Sequence, residues 1–214
     1  MNLEELKRLQ FEIAKRVVLE DKYSIDEIEY VIGVDQAFFR DYVISAAVRM
    51  KFPSLEVDEK AYTIEKVDFP YIPTFLMFRE GDPAVRAVKK VLRERSVVVV
   101  DGSGIAHPRR CGLATYIAVK TDEPAIGVTK KKLYGDVKLE NGLFVLKDGD
   151  ETIGYEIRFK KFKPIYVSPG SYISLKTSLQ IIKSCLRGHR LPEPIREAHN
   201  FANDIKRKFQ SIMI

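Results

Sequence analysis

Three carboxylates in this 214-residue chain lie where apolar sequence surrounds them. Asp35 interrupts VIGVDQAFF, Asp101 ends the run Val97-Val98-Val99-Val100, and Glu80 follows PYIPTFLMFR at the mouth of an expected helix. A carboxylate in or at the end of a buried strand is costly unless it is paired, hydrogen-bonded or bound to a cation. Singly, Asp101 before Gly102 can cap a turn, and Glu80 can favour a helix N-terminus. Asp35 is harder to place that way, because aspartate is depleted from strand interiors. Together, on a chain with no cysteine or histidine cluster, the three suggest an oxygen-ligand site for Mg2+ or Mn2+. Such a site suits phosphoryl chemistry, since the cation neutralises charge on a phosphate and activates water. His107, Lys130 and His199 are the residues placed to position a nucleophile or assist a leaving group. Lys130-Lys131-Lys132 also reads as a solvated basic loop or as a phosphate contact.

These residues need rigid elements to hold them. Apolar residues at helical spacing, Leu6, Leu9, Ile13 and Val17, predict a helix over 3–18. Tyr30–Phe39 and Tyr42–Met50, rich in β-branched and aromatic residues and separated by Arg40-Asp41, read as a hairpin with Asp35 in its first strand. Ala61–Val67 is a third strand. Asp82 is the expected N-cap, and Pro83 the first residue, of a helix carrying Val85, Val88, Val91 and Leu92 on one face. The four valines suit a strand buried on both faces. Further strands are expected at Ala125–Val128 and Ile165–Val167, with a second hairpin of Leu143–Leu146 and Thr152–Phe159 around Asp148-Gly149-Asp150. Helices over Ser174–Leu186, capped by Ser174, and over Pro194–Phe209 close the chain. The expectation is a single α/β domain over 1–214, with a mixed central β-sheet and helices on both faces.

Composition narrows the function classes. Hydrophobic residues make up 45% and charged residues 31%, enough for a sizeable core in one domain. A net charge of +6 suits a polyanionic partner, because each cation near a phosphate releases a condensed counterion. Cys111 and Cys185 stand far apart in no CxxC pattern, which argues against a disulfide framework and a thiolate metal site. The charged N-terminus is unlike a signal peptide, and no apolar run reaches membrane-spanning length. A cytoplasmic protein, off the membrane and monomeric, is expected.

Six stretches carry a resemblance. GVDQAFF (33–39), PYIPTFLMFRE (70–80), VVVVDGSGIAHPRRCGLA (97–114), PAIGVTKKKLYG (124–135), VSPGSYISL (167–175) and RLPEPIREAH (190–199) resemble the successive motifs of the endonuclease V family, in order and with matching spacing. The resemblance implies an RNase H-like fold and a metal-dependent endonuclease that nicks DNA on the 3' side of deaminated bases, chiefly deoxyinosine, in DNA repair. It implies Mg2+, with Mn2+ as the alternative, held by Asp35, Glu80 and Asp101, with His199 beside them and Lys130 at the reaction centre. Tyr71 would wedge into the strand at the lesion, His107 and Arg109 would contact substrate, and Gly102 and Gly127 would line the base pocket. A wedging ring can replace the stacking lost when a base is flipped out; the structural alternative for Tyr71 is a packed loop aromatic. The sequence departs from the family pattern at Thr74, where glycine is usual, and at Ser103 and Ser171, where histidine is usual. Competing expectations are an inosine-directed ribonuclease, a junction resolvase and a catalytically dead nucleic-acid-binding protein. Nothing in the motifs reads the 2'-hydroxyl that separates RNA from DNA.

Overall fold

Successive side chains of a strand point to opposite faces, so the run Val97–Val100 needs apolar cover on both. Val98 and Val100 pack with Val85, Val88 and Ile117. Val97 and Val99 pack with Ile181, Ile182 and Ile195 in a separate core. The computed structural model describes residues 2–213, so Met1 and Ile214 of the expected 1–214 domain lie outside the described residues. The valine strand is interior to a nine-stranded sheet that includes every strand of the described residues.

The elements are α1 (Leu3–Ala14), β1 (Tyr30–Phe39), β2 (Tyr42–Lys51), β3 (Val57–Lys66), α2 (Leu76–Val91), β4 (Ser96–Asp101), α3 (Leu113–Thr121), β5 (Ala125–Thr129), β6 (Asp136–Glu140), β7 (Leu143–Asp148), β8 (Glu151–Ile157), β9 (Ile165–Ser171), α4 (Leu175–Ser184) and α5 (Glu193–Ile212). The sheet runs β3-β2-β1-β4-β5-β9-β8-β7-β6. Parallel pairing joins β1 to β4 and β4 to β5; the other neighbours are antiparallel. Helices α2 and α3 supply the core on one face, and α4 and α5 on the other. The mixed sheet with helices on both faces is therefore as expected. No helix among the described residues is long and apolar enough to cross a membrane. Both cysteines are free and buried.

Two helix bounds need correction, α1 ending at Ala14 rather than at Val18, and two elements were not expected. Helix α2 begins at Leu76, not at Asp82, and Pro83 lies inside it. Proline there forgoes one backbone hydrogen bond, but the preceding turns bury Met77 and Glu80, and Gly81 lets the helix press onto the Tyr116 ring. Asp82 serves α3 rather than a cap, accepting from the Tyr116 hydroxyl. Helix α3 was not expected at all: it is buried on nearly every side, so it has no polar stripe to betray a helical period. Strand β6 also escaped notice, being a short and mostly exposed edge strand. Ser174 caps α4 as expected, accepting from the Thr177 amide at 3.1 Å.

Candidate active site

The parallel register of β1 and β4 matches Val34 with Val100, so the next residues along, Asp35 and Asp101, sit on neighbouring strands. Alternation sends both toward α5: Ala37, two residues beyond Asp35, packs on Ala202 and Ile205, and Val97 and Val99 share the parity of Asp101. From α5, His199 Nδ1 meets Asp35 Oδ2 at 2.7 Å. From the loop after β5, Lys130 Nζ donates to Asp101 Oδ2 at 2.8 Å. Glu80 approaches from α2 and is buried, as is Asp35.

The electrostatics tie the three carboxylates together. Burial raises the Asp35 pKa and the charge of Asp101 adds to it, against the Gln36 amide and His199. Burial, with the charges of Asp35 and Asp101, pushes Glu80 up to about 7, while Arg79 pulls it down. Among the described residues Glu80 makes no side-chain hydrogen bond or ion pair, and no three His, Cys, Asp or Glu side chains are grouped so as to hold a metal ion. Carboxylates, two of them buried and one of those two without a partner, are the donor type that a hard divalent cation takes. In donor chemistry the residues present fit such an ion.

A second feature lies beside this cluster. Tyr71, in the segment 70–74, is 67% exposed, so it is not a packed loop aromatic. It stands over a cavity of about 70 Å3 lined also by Thr74, Met77, Ser103, His107 and Leu113. Gly102 and Gly127 are not on that lining. A Cβ on Gly127 would lie 2.4 Å from the Gly102 carbonyl oxygen, so its bareness serves backbone packing. His107 is buried at 2% exposure. Its Nδ1 accepts from the Arg109 amide at 3.1 Å and its Nε2 meets the Thr74 carbonyl at 2.9 Å. Arg109 is likewise turned inward, onto Thr74 and Gln10. Ser171 Oγ accepts from the Val18 amide at 2.9 Å, and Ser103 joins the cavity wall.

Two contributors were missed in the sequence. Gln10 is the buried residue of α1. It shares a face with Leu6 and Ile13, and that placement was the signal. Arg190 braces the Lys130 loop, its Nη2 donating to the carbonyls of Lys130 at 2.7 Å and Pro164 at 2.9 Å; no local pattern announces it.

Comparison with known proteins matches this arrangement to one family. The family model for endonuclease V matches residues 11–200. An endonuclease V of Archaeoglobus fulgidus is 58% identical over 210 residues, covering 97% of this chain and 95% of that protein. One from Thermofilum pendens is 41% identical over 204 residues, covering 94% and 88%. Among solved structures, the Streptomyces avermitilis endonuclease V superposes with a TM-score of 0.87 at 31% identity, covering 98% of this chain and 95% of that one. The Ciona intestinalis enzyme, in complex with a 24mer DNA containing an inosine followed by a ribo-adenosine, gives 0.84 at 27% identity, covering 97% and 98%. The fold is accordingly RNase H-like. With Asp35 and Asp101 on adjacent parallel strands and its motifs in order from Gly33 to His199, the chain belongs to the endonuclease V family of nucleases.

Proposed function

We propose that this protein is a metal-dependent endonuclease that nicks DNA on the 3' side of deaminated bases, chiefly deoxyinosine, in DNA repair. The observation that carries the reading is the placement of Asp35 and Asp101 at the ends of the register of two neighbouring parallel strands, with the charges of both acting on the buried Glu80. Mg2+, or Mn2+ in its place, would be held by these carboxylates and would offset charge on the scissile phosphate. His199 keeps the Asp35 carboxylate oriented through its Nδ1. Lys130, paired with Asp101, brings a cation to the reaction centre, where it can neutralise a phosphate oxygen or assist the leaving group. Tyr71 supplies an exposed ring to stack where an extruded base has left. His107, Arg109, Gly102 and Gly127 shape the loops around that base. We read the chain as one domain over 1–214, acting as a cytoplasmic monomer.

The test is nicking of an inosine-containing duplex with and without Mg2+, on the natural chain and on Asp101→Asn. Cleavage should need the cation, and Asp101→Asn should bind the duplex, melt near the natural temperature and lose at least roughly a hundred-fold in rate. Undiminished cleavage by Asp101→Asn would count decisively against the assignment. A second reading, cleavage beside an inosine in RNA, is favoured by the ribo-adenosine in the Ciona complex. The same assay on a strand with a ribonucleotide after the inosine separates the two, because only that strand offers a 2'-hydroxyl.

A further inference from the structure

The segment carrying Tyr71 ends on a backbone position that a β-branched residue disfavours. Thr74 has φ = +69°, in the left-handed region where a Cβ crowds the chain and where such residues are outliers. Three side chains converge on its carbonyl oxygen: Gln10 Nε2 at 2.8 Å, His107 Nε2 at 2.9 Å and Arg109 Nη2 at 3.0 Å. Arg109 Nη2 also reaches Thr74 Oγ1 at 2.6 Å, and its Nε donates to Gln10 Oε1 at 2.5 Å. The guanidinium is seated on the Phe75 ring, 4.5 Å from its centroid.

This network is closed. Gln10 is fully buried. His107 accepts at Nδ1 from the Arg109 amide, which assigns its proton to Nε2 and makes that nitrogen the donor to Thr74. Burial pushes its pKa down to about 4, so the ring is neutral and suited to that single task. The donors come from two distant places, α1 and the loop between β4 and α3, and they meet on one residue. Strained backbone persists where its surroundings over-determine it.

We propose that Gln10, His107 and Arg109 are positioning residues that lock Thr74 in the left-handed conformation and so hold the 70–74 segment, with Tyr71, preset before nucleic acid arrives. The proposal rests on the reading of Tyr71 as a wedge. Pro70 and Pro73 restrict φ within the segment, and the clamp fixes its C-terminal end. A preset segment loses little entropy on binding, so the clamp acts on substrate affinity rather than on the bond-breaking step.

Gln10 is the discriminating probe, because a fully buried side chain cannot touch substrate. The chain has no tryptophan, so Tyr71→Trp installs a single fluorescent reporter. Time-resolved anisotropy of that reporter, without nucleic acid, should show greater fast motion when Gln10→Ala or Arg109→Lys is added. In the chain with Tyr71 kept, Gln10→Ala should raise KM for the inosine duplex roughly ten-fold and change kcat less than about two-fold. Thr74→Gly should be coupled to it, the pair costing less than the sum, because glycine takes positive φ unaided. A lowered melting temperature with unchanged anisotropy and KM would overturn the clamp, and so would strictly additive effects. If Gln10→Ala does not fold, Gln10→Leu, which keeps the bulk and removes the hydrogen bonds, carries the same expectations. Should the natural chain fail to nick an inosine duplex, the functional reading falls, and the anisotropy alone still decides for or against the clamp.

Discussion

Tyr71 and Glu80 stand in opposite surroundings to those their side chains prefer: an aromatic ring left in solvent, and a carboxylate kept from it. The ring is 67% exposed, so truncating it removes little packing. Tyr71→Ala should therefore shift stability by no more than about 0.5 kcal/mol. Base–aromatic stacking is worth on the order of 1–3 kcal/mol, so affinity for an inosine site should fall by roughly one to two orders of magnitude. Melting temperature and inosine-site binding on the same preparation check both halves. A large loss of stability with unchanged affinity would remove Tyr71 from the site. The carboxylates were legible as residues because an acid inside an apolar run has few reasons to be there. His107 and Arg109 were legible as belonging near the site, but not as turned inward, because which way a loop side chain points depends on Gln10 and Thr74, remote in sequence.

At the scale of elements, the site is set by how α5 lies on the sheet. Gly33 in β1 is the contact: a Cβ there would lie 1.8 Å from the Pro194 carbonyl oxygen at the start of α5. Backbone cannot yield as a flexible side chain can. Gly33→Ala should push the N-terminal turns of α5 away and carry His199 off Asp35, although neither residue is altered. The expected cost is about 1–3 kcal/mol, a fall of roughly 2–10 °C in melting temperature, together with reduced nicking. A variant as stable and as active as the natural chain would show that α5 is not seated by this contact. The elements themselves were readable in advance where period and composition agreed, as in the two hairpins and the valine strand. They were unreadable where burial erased the period, as in α3, and where tertiary contacts outweighed a local signal. Asp82-Pro83 is the clearest case of the latter, a good start signal overridden by the burial of Met77 and Glu80 upstream of it.

For the whole molecule, charge governs both how it meets its partner and how its stability follows pH. The net charge of +6 implies salt-sensitive binding, and Lys131 is exposed on the loop beside Lys130. If Lys131 meets a phosphate, Lys131→Ala should flatten the log–log salt dependence by about one; an unchanged slope makes it a solvated residue. Stability has a less obvious dependence, because two buried groups oppose each other. His107 is held down to about 4 from 6.5. Its unfolded form takes up a proton as pH falls through 6.5 while the native form resists, so stability is lost on acidification from 6.5 toward 4. Glu80 is held up at about 7 from 4.5, and Asp35 is raised in the same sense. The unfolded carboxylate ionises first, so stability is lost as pH rises from 4.5 through 7. Each effect is worth up to about 3 kcal/mol, and across the shared window they largely cancel. In EDTA the natural chain should therefore show a nearly flat melting temperature between pH 4.5 and 6.5. Glu80→Gln weakens the carboxylate slope to the part Asp35 supplies, so its melting temperature should rise with pH relative to the natural chain. His107→Gln leaves the carboxylate slope, so its melting temperature should fall over the same range and on toward pH 7. Adding Mg2+ should shrink that fall, because a cation held by ionised carboxylates stabilises the native state where those groups are charged. Parallel slopes in the two variants would sink the opposition between His107 and the carboxylates. A fall untouched by Mg2+ would separate the buried carboxylates from any metal role.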